Sequence, residues 1–123
     1  MSLRILVVED HPDVRAALVA GLEHAGHEVL EAATLAAAQA ALETGYPAAI
    51  VCDEHFPACE GASPAPWGHN FVQGCLWRGL PAILYTASDD SVLHARRNGL
   101  PVLPKPAGIS EILKALEAAC PTR

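Results

Sequence analysis

Five short apolar runs, separated by segments with helical periodicity, constrain this chain more than any other feature. They are "RILVV" at 4–8, "HEVLEA" at 27–32, "AAIVC" at 48–52, "PAILYTA" at 81–87 and "PVL" at 101–103. Strands buried on both faces read as nearly continuous apolar runs, and helices between them supply the crossovers that parallel strands require. The first intervening segment, "HPDVRAALVAGLEHAG", puts Val14, Ala17, Leu18, Gly21 and Leu22 on one helical face. Pro12 suits its first turn, and Gly26 suits the left-handed position after its last. Thr34 is placed to cap "LAAAQAALETG", which Gly45 and Pro47 end. Ser88 or Asp89 caps a short helix that stops at Gly99. Ser110 is predicted to cap the last helix, with Ile112, Leu113, Leu116 and Ala119 as its buried stripe. One segment departs from the rhythm: "EGASPAPWGHNFVQGCLWRG", 60–79, carries two prolines and four glycines. It predicts an irregular loop followed by a turn or two of helix around Asn70 to Trp77.

This alternation predicts a single α/β domain over residues 1–123, with a parallel sheet covered on both sides. A hydrophobic content of 51% is ample for one buried core and argues against disorder. The formal charge of −6 argues against direct nucleic-acid binding, because phosphate backbones are held by clustered Lys and Arg. No window approaches the roughly 18 apolar residues of a membrane helix. The N-terminus reads as leaderless, so a cytoplasmic protein with no membrane association is expected. Cys52, Cys59, Cys75 and Cys120 form no CxxC pair and read as reduced thiols. His55, Cys59, His69 and Cys75 match no compact zinc spacing.

In open parallel sheets, sites lie beyond the carboxyl ends of the strands, where strand order reverses. Glu9 and Asp10 follow the first run, Asp53 follows the third, Thr86 ends the fourth and Lys105 follows the fifth. Neighbouring carboxylates raise one another's pKa, and a divalent cation relieves them; all-oxygen ligands favour Mg²⁺. Aspartate can act as a nucleophile and form an acyl phosphate. Mg²⁺, the Lys105 ammonium and the Thr86 hydroxyl could then neutralise and position the phosphoryl oxygens. Taken singly, each residue has a plainer reading: Glu9 and Asp10 as anions before a helix, Asp53 as a turn residue, Lys105 as a solvated charge. Five of them at the ends of four strands point to one site.

The motifs "LVVEDHPDVR", "IVCDEHFPACEG", "LYTAS" and "LPKP" make the chain resemble a response-regulator receiver domain along essentially its whole length. The most specific is the second, with Pro57 four residues and Gly61 eight residues after Asp53. The resemblance implies a flavodoxin-like (βα)5 fold with strand order 2-1-3-4-5. It implies that Asp53 accepts a phosphoryl group from phosphohistidine on a sensor histidine kinase or a histidine phosphotransfer domain. Glu9, Asp10, Asp53 and the His55 backbone carbonyl would then hold Mg²⁺. Thr86 would move toward the phosphoryl oxygens, Lys105 would pair with them, and the Lys105–Pro106 bond is a candidate for the cis form. The His55 side chain would either overlook the phosphoryl group or stand as an ordinary exposed loop histidine, and a homodimer is a further expectation.

Three features depart from the family pattern. Val102 stands where an aromatic residue often lies, three residues before the lysine. The stretch from Asp53 to Thr86 is longer than usual, and that from Thr86 to Lys105 is shorter, which predicts an irregular or shortened third and fourth helix. Two other functions compete with phosphoacceptance. One is a phosphorylation-independent interaction module. The other is a haloacid-dehalogenase-type phosphatase, which would need a D-x-D pair after the first strand, where this chain has "EDHPD".

Overall fold

The computed structural model describes residues 2–120. β1 (Arg4–Val8), β2 (Glu28–Ala32), β3 (Ala49–Cys52), β6 (Ala82–Thr86) and β7 (Val102–Pro104) pair in parallel in the order β2-β1-β3-β6-β7. A two-residue antiparallel ribbon, β4 (Phe56–Pro57) with β5 (Pro64–Ala65), lies outside this sheet. Setting that ribbon aside, the order is the expected 2-1-3-4-5, and the fold is flavodoxin-like. The helices are α1 (Pro12–His24), α2 (Leu35–Thr44), α3 (Gly68–Trp77), α4 (Asp89–Arg97) and α5 (Ile109–Ala118).

Every residue of β3 and β6 is buried, as central strands of a covered sheet require. Side chains alternate between two cores. Ile5, Val7, Val51, Ile83 and Tyr85 meet Leu18 and Leu22 of α1 and Ile112 and Leu116 of α5. On the other face, Leu6, Val8, Ile50 and Leu84 meet Ala38 of α2, Val72 and Cys75 of α3 and Ala95 of α4.

The local signals largely act as their chemistry dictates. Thr34 Oγ1 accepts the Ala37 N–H at 3.0 Å and Ser88 Oγ accepts the Ser91 N–H at 3.2 Å, each capping a helix. Pro12 opens α1, and Gly26 takes φ +96° just past its end. Ser110 is not a cap. Helix α5 starts at Ile109, with Gly108 as its N-cap and Glu111 Oε1 accepting the Gly108 N–H at 3.1 Å. Glu111, three residues on, thus holds the helix start at Gly108, and Ile109 lies so close over Gly21 of α1 that a Cβ there would sit 2.6 Å from it. Ala17 is exposed rather than part of the α1 stripe, which narrows to Leu18 and Leu22, with Val14 and Gly21 half-buried.

The irregular stretch after Asp53 holds the small ribbon, anchored by fully buried Phe56, with Gly61 at φ +87° in its connection. Helix α3 then begins at Gly68, two residues before the predicted Asn70, and runs for 10 residues. Helix α4 is the shortest of the five at 9 residues. Cys52 and Cys75 are buried, Cys59 and Cys120 are exposed, and all four are free thiols. Among the described residues, no helix is long and apolar enough to cross a membrane.

Candidate functional site

One backbone hydrogen bond beyond each strand end fixes the charged residues. The Glu9 N–H donates to Ala32, the Asp53 N–H to Val8 and the Lys105 N–H to Thr86, each at 2.9 Å. Because Val8 and Cys52 are register partners, Glu9 and Asp53 emerge side by side from adjacent strands. Asp10 follows, and ligand oxygens of Glu9, Asp10 and Asp53 all lie within 4.8 Å of one another. The Lys105 ammonium reaches across, with Nζ 2.5 Å from Glu9 Oε1 and 3.3 Å from Asp53 Oδ2.

The enclosure of this cluster sets its electrostatics. Only 4% of the Glu9 side chain is exposed, against 15% for Lys105 and 17% for Asp53. Burial raises the Glu9 pKa above the ordinary carboxylate value; the hydrogen bond from Lys105 opposes this, and the charge of Asp53 adds to it. For Lys105, burial favours the neutral amine, but the Glu9 and Asp53 carboxylates outweigh it and raise its pKa. Three carboxylates against one ammonium leave the pocket negative. Its oxygen-only donor set fits a hard divalent cation such as Mg²⁺.

Thr86 is 2% exposed at the end of β6. Its Oγ1 accepts the Ser88 N–H at 3.2 Å, which leaves the hydroxyl proton free to donate. His55 is exposed just before β4. Val102 is half-buried and packs against the core that holds Leu84. The Lys105–Pro106 bond is cis. The His and Cys set considered for zinc is not assembled; among the described residues, Glu9, Asp10 and Asp53 are the group of three or more that could share an ion.

Three supporting residues were not legible in the sequence. Arg15 Nη1 donates to the Glu9 carbonyl at 2.9 Å while its Nε pairs with Glu31 at 3.1 Å. Gly68 packs against the backbone of Asp53 and Glu54, where any Cβ would collide. Glu54 is 6% exposed; its N–H donates to Asp53 Oδ1 at 2.7 Å, and its Oε1 accepts the His69 N–H at 2.8 Å. Helix α3 has no side-chain cap of its own at Trp67, so Glu54 satisfies a first-turn amide from a distance. Glu54→Ala is expected to lower unfolding free energy in urea by about 1–2 kcal/mol. Glu54→Gln, which keeps an acceptor oxygen, is expected to lose less. Equal losses in the two variants would show that the carbonyl acceptor is not what matters.

The family profile described as "Response regulator receiver domain" matches residues 5–117. The chain belongs to this family. The receiver fold recurs in solved structures at TM-scores of 0.73. CheY4, the chemotaxis response regulator of Vibrio cholerae, is 22% identical, with 97% of this chain and 99% of that one aligned. The receiver domain of the Francisella response regulator 1452 is 19% identical, with 95% of each chain covered. NtrX from Brucella abortus, solved in complex with ADP, is 24% identical; the match covers 97% of this chain but only 27% of NtrX. At these identities the likeness is one of fold. No curated protein matches.

Proposed function

We propose that this receiver domain accepts a phosphoryl group on Asp53 from phosphohistidine of a histidine kinase or phosphotransfer domain. The observation that carries the reading is the Lys105 ammonium set between Glu9 and Asp53 beside a third carboxylate. Asp53 Oδ1 is held by the Glu54 N–H, which leaves Oδ2, on the Lys105 side, free of a backbone donor. Oδ2 forms the new bond to phosphorus as the P–N bond of the donor breaks, and the imidazole departs. Lys105 follows the charge from the carboxylate to the phosphoryl oxygens, and the Thr86 hydroxyl donates to another of them. Glu9, Asp10, Asp53 and the His55 backbone carbonyl would hold Mg²⁺, which when bound supplies charge neutralisation.

Incubation with Mg²⁺ and acetyl phosphate tests this reading by intact mass. A gain of one phosphoryl group is expected, sensitive to EDTA and absent from Asp53→Asn. A protein that stays unmodified, or an adduct that survives in Asp53→Asn, would contradict it.

A further inference from the structure

β6 contributes a second residue to the site besides Thr86. Tyr85 points to the opposite face of the sheet and is 7% exposed. A buried phenol needs a hydrogen-bond partner, and this one finds it in a loop rather than in a helix or strand. Tyr85 Oη accepts the Ala107 N–H at 2.9 Å and lies 3.4 Å from the Ala107 carbonyl, to which it can donate. Ala107 is two residues beyond Lys105, in the connection between β7 and α5. Lys105 Nζ also stands 5.5 Å from the Tyr85 ring centre, within range of attraction to the ring face.

We propose that Tyr85 is a positioning residue for Lys105, its hydroxyl tying down the loop that carries the ammonium and its ring guiding the side chain toward Glu9 and Asp53. The proposal rests on the reading of Asp53 as phosphoacceptor. It gives one strand end two means of meeting the phosphoryl group, Thr86 directly and Lys105 through its neighbour. Phenylalanine would fill the same apolar space without a hydroxyl. Ångström-scale misplacement of a group that acts on the reacting atoms is enough to slow a transfer step severalfold or more.

Tyr85→Phe keeps the ring and the packing and removes only the tie. With Mg²⁺ and acetyl phosphate, its rate constant at saturation is expected to fall about 5–20-fold. The half-saturating Mg²⁺ concentration should stay at or fall below the wild-type value, because a displaced ammonium competes less with the cation for Glu9 and Asp53. In parallel, amide hydrogen exchange at Ala107 should speed up about tenfold or more while amides within β6 hold. An unchanged rate constant would overturn the proposal. So would a rate loss matched by weaker Mg²⁺ binding and faster exchange across the sheet, the mark of general loosening. Should the wild-type protein itself take no phosphoryl group, the phosphoacceptor reading fails with it; faster exchange confined to Ala107 would then still support the tie, and unchanged exchange would overturn it.

Discussion

Lys105→Ala is expected to slow phosphorylation of Asp53 by about 10²–10³-fold while strengthening Mg²⁺ binding about tenfold. The opposite signs follow from where the ammonium sits. Lys105 stands 2.5 Å from Glu9 Oε1 and 3.3 Å from Asp53 Oδ2, so in the metal-free pocket it neutralises oxygens that a cation would share. Two unit charges at 4 Å interact by about 4 kcal/mol at an effective dielectric constant of 20, before the cost of water taking the ammonium's place. A tenfold gain in affinity, about 1.4 kcal/mol, is a modest part of that. The rate falls because a preorganised donor aimed at developing negative charge is lost, and such donors contribute two to three orders of magnitude. Without the ammonium, burial and the charge of Asp53 act on Glu9 with less opposition, so its pKa rises further. Calorimetric titration with Mg²⁺ and a phosphorylation time course give the two numbers. A variant that binds Mg²⁺ more weakly would show that Lys105 holds the acidic cluster together rather than competing for it.

Gly68→Ala is expected to cost about 2–3 kcal/mol of folding free energy, although alanine is the better helix former. Most glycine-to-alanine changes within helices stabilise by about 0.5–1 kcal/mol. At Gly68 the new methyl group meets the Asp53 carbonyl oxygen, the Asp53 carbonyl carbon at 2.8 Å and Glu54 Cα at 2.6 Å. These are backbone atoms of the segment that presents the acceptor carboxylate, and they cannot rotate away. Helix α3 or the Asp53 loop must shift, straining the Gly68 N–H to Glu54 carbonyl bond of 3.0 Å. Gly74 of the same helix is an internal control, since nothing lies within 4 Å of a Cβ built there. Gly74→Ala should stabilise where Gly68→Ala destabilises, and urea unfolding of the pair reads both signs. Slower phosphorylation in Gly68→Ala alone is expected as well, because its strain falls on Asp53. Equal, small effects at the two positions would remove the close packing of α3 from the account.

The sheet was legible because burial on both faces leaves a nearly uninterrupted apolar run, as at Ile50, Val51 and Cys52. The charged residues were legible because each lies within two residues of the end of such a run, where a core no longer explains an ionised side chain. Thr34 and Ser88 were found as caps since the chemistry of a hydroxyl before a helix is local. What escaped depends on contacts distant in sequence. Glu54 caps a helix that starts 14 residues later, and Gly68 is required by a backbone it meets only on folding. The small ribbon at Phe56 and Pro64 is too short for periodicity to register. Val102 was visible as a missing aromatic, and it packs as an ordinary aliphatic residue in β7.

The most direct measurement is a crystal structure of the protein with Mg²⁺ and beryllofluoride, a phosphoryl mimic. Beryllium is expected on the Asp53 carboxylate, the metal on Glu9, Asp10 and Asp53, and fluorides contacted by Lys105 Nζ and Thr86 Oγ1. Beryllofluoride bound elsewhere, or Lys105 directed away from it with the three acids apart, would contradict the account.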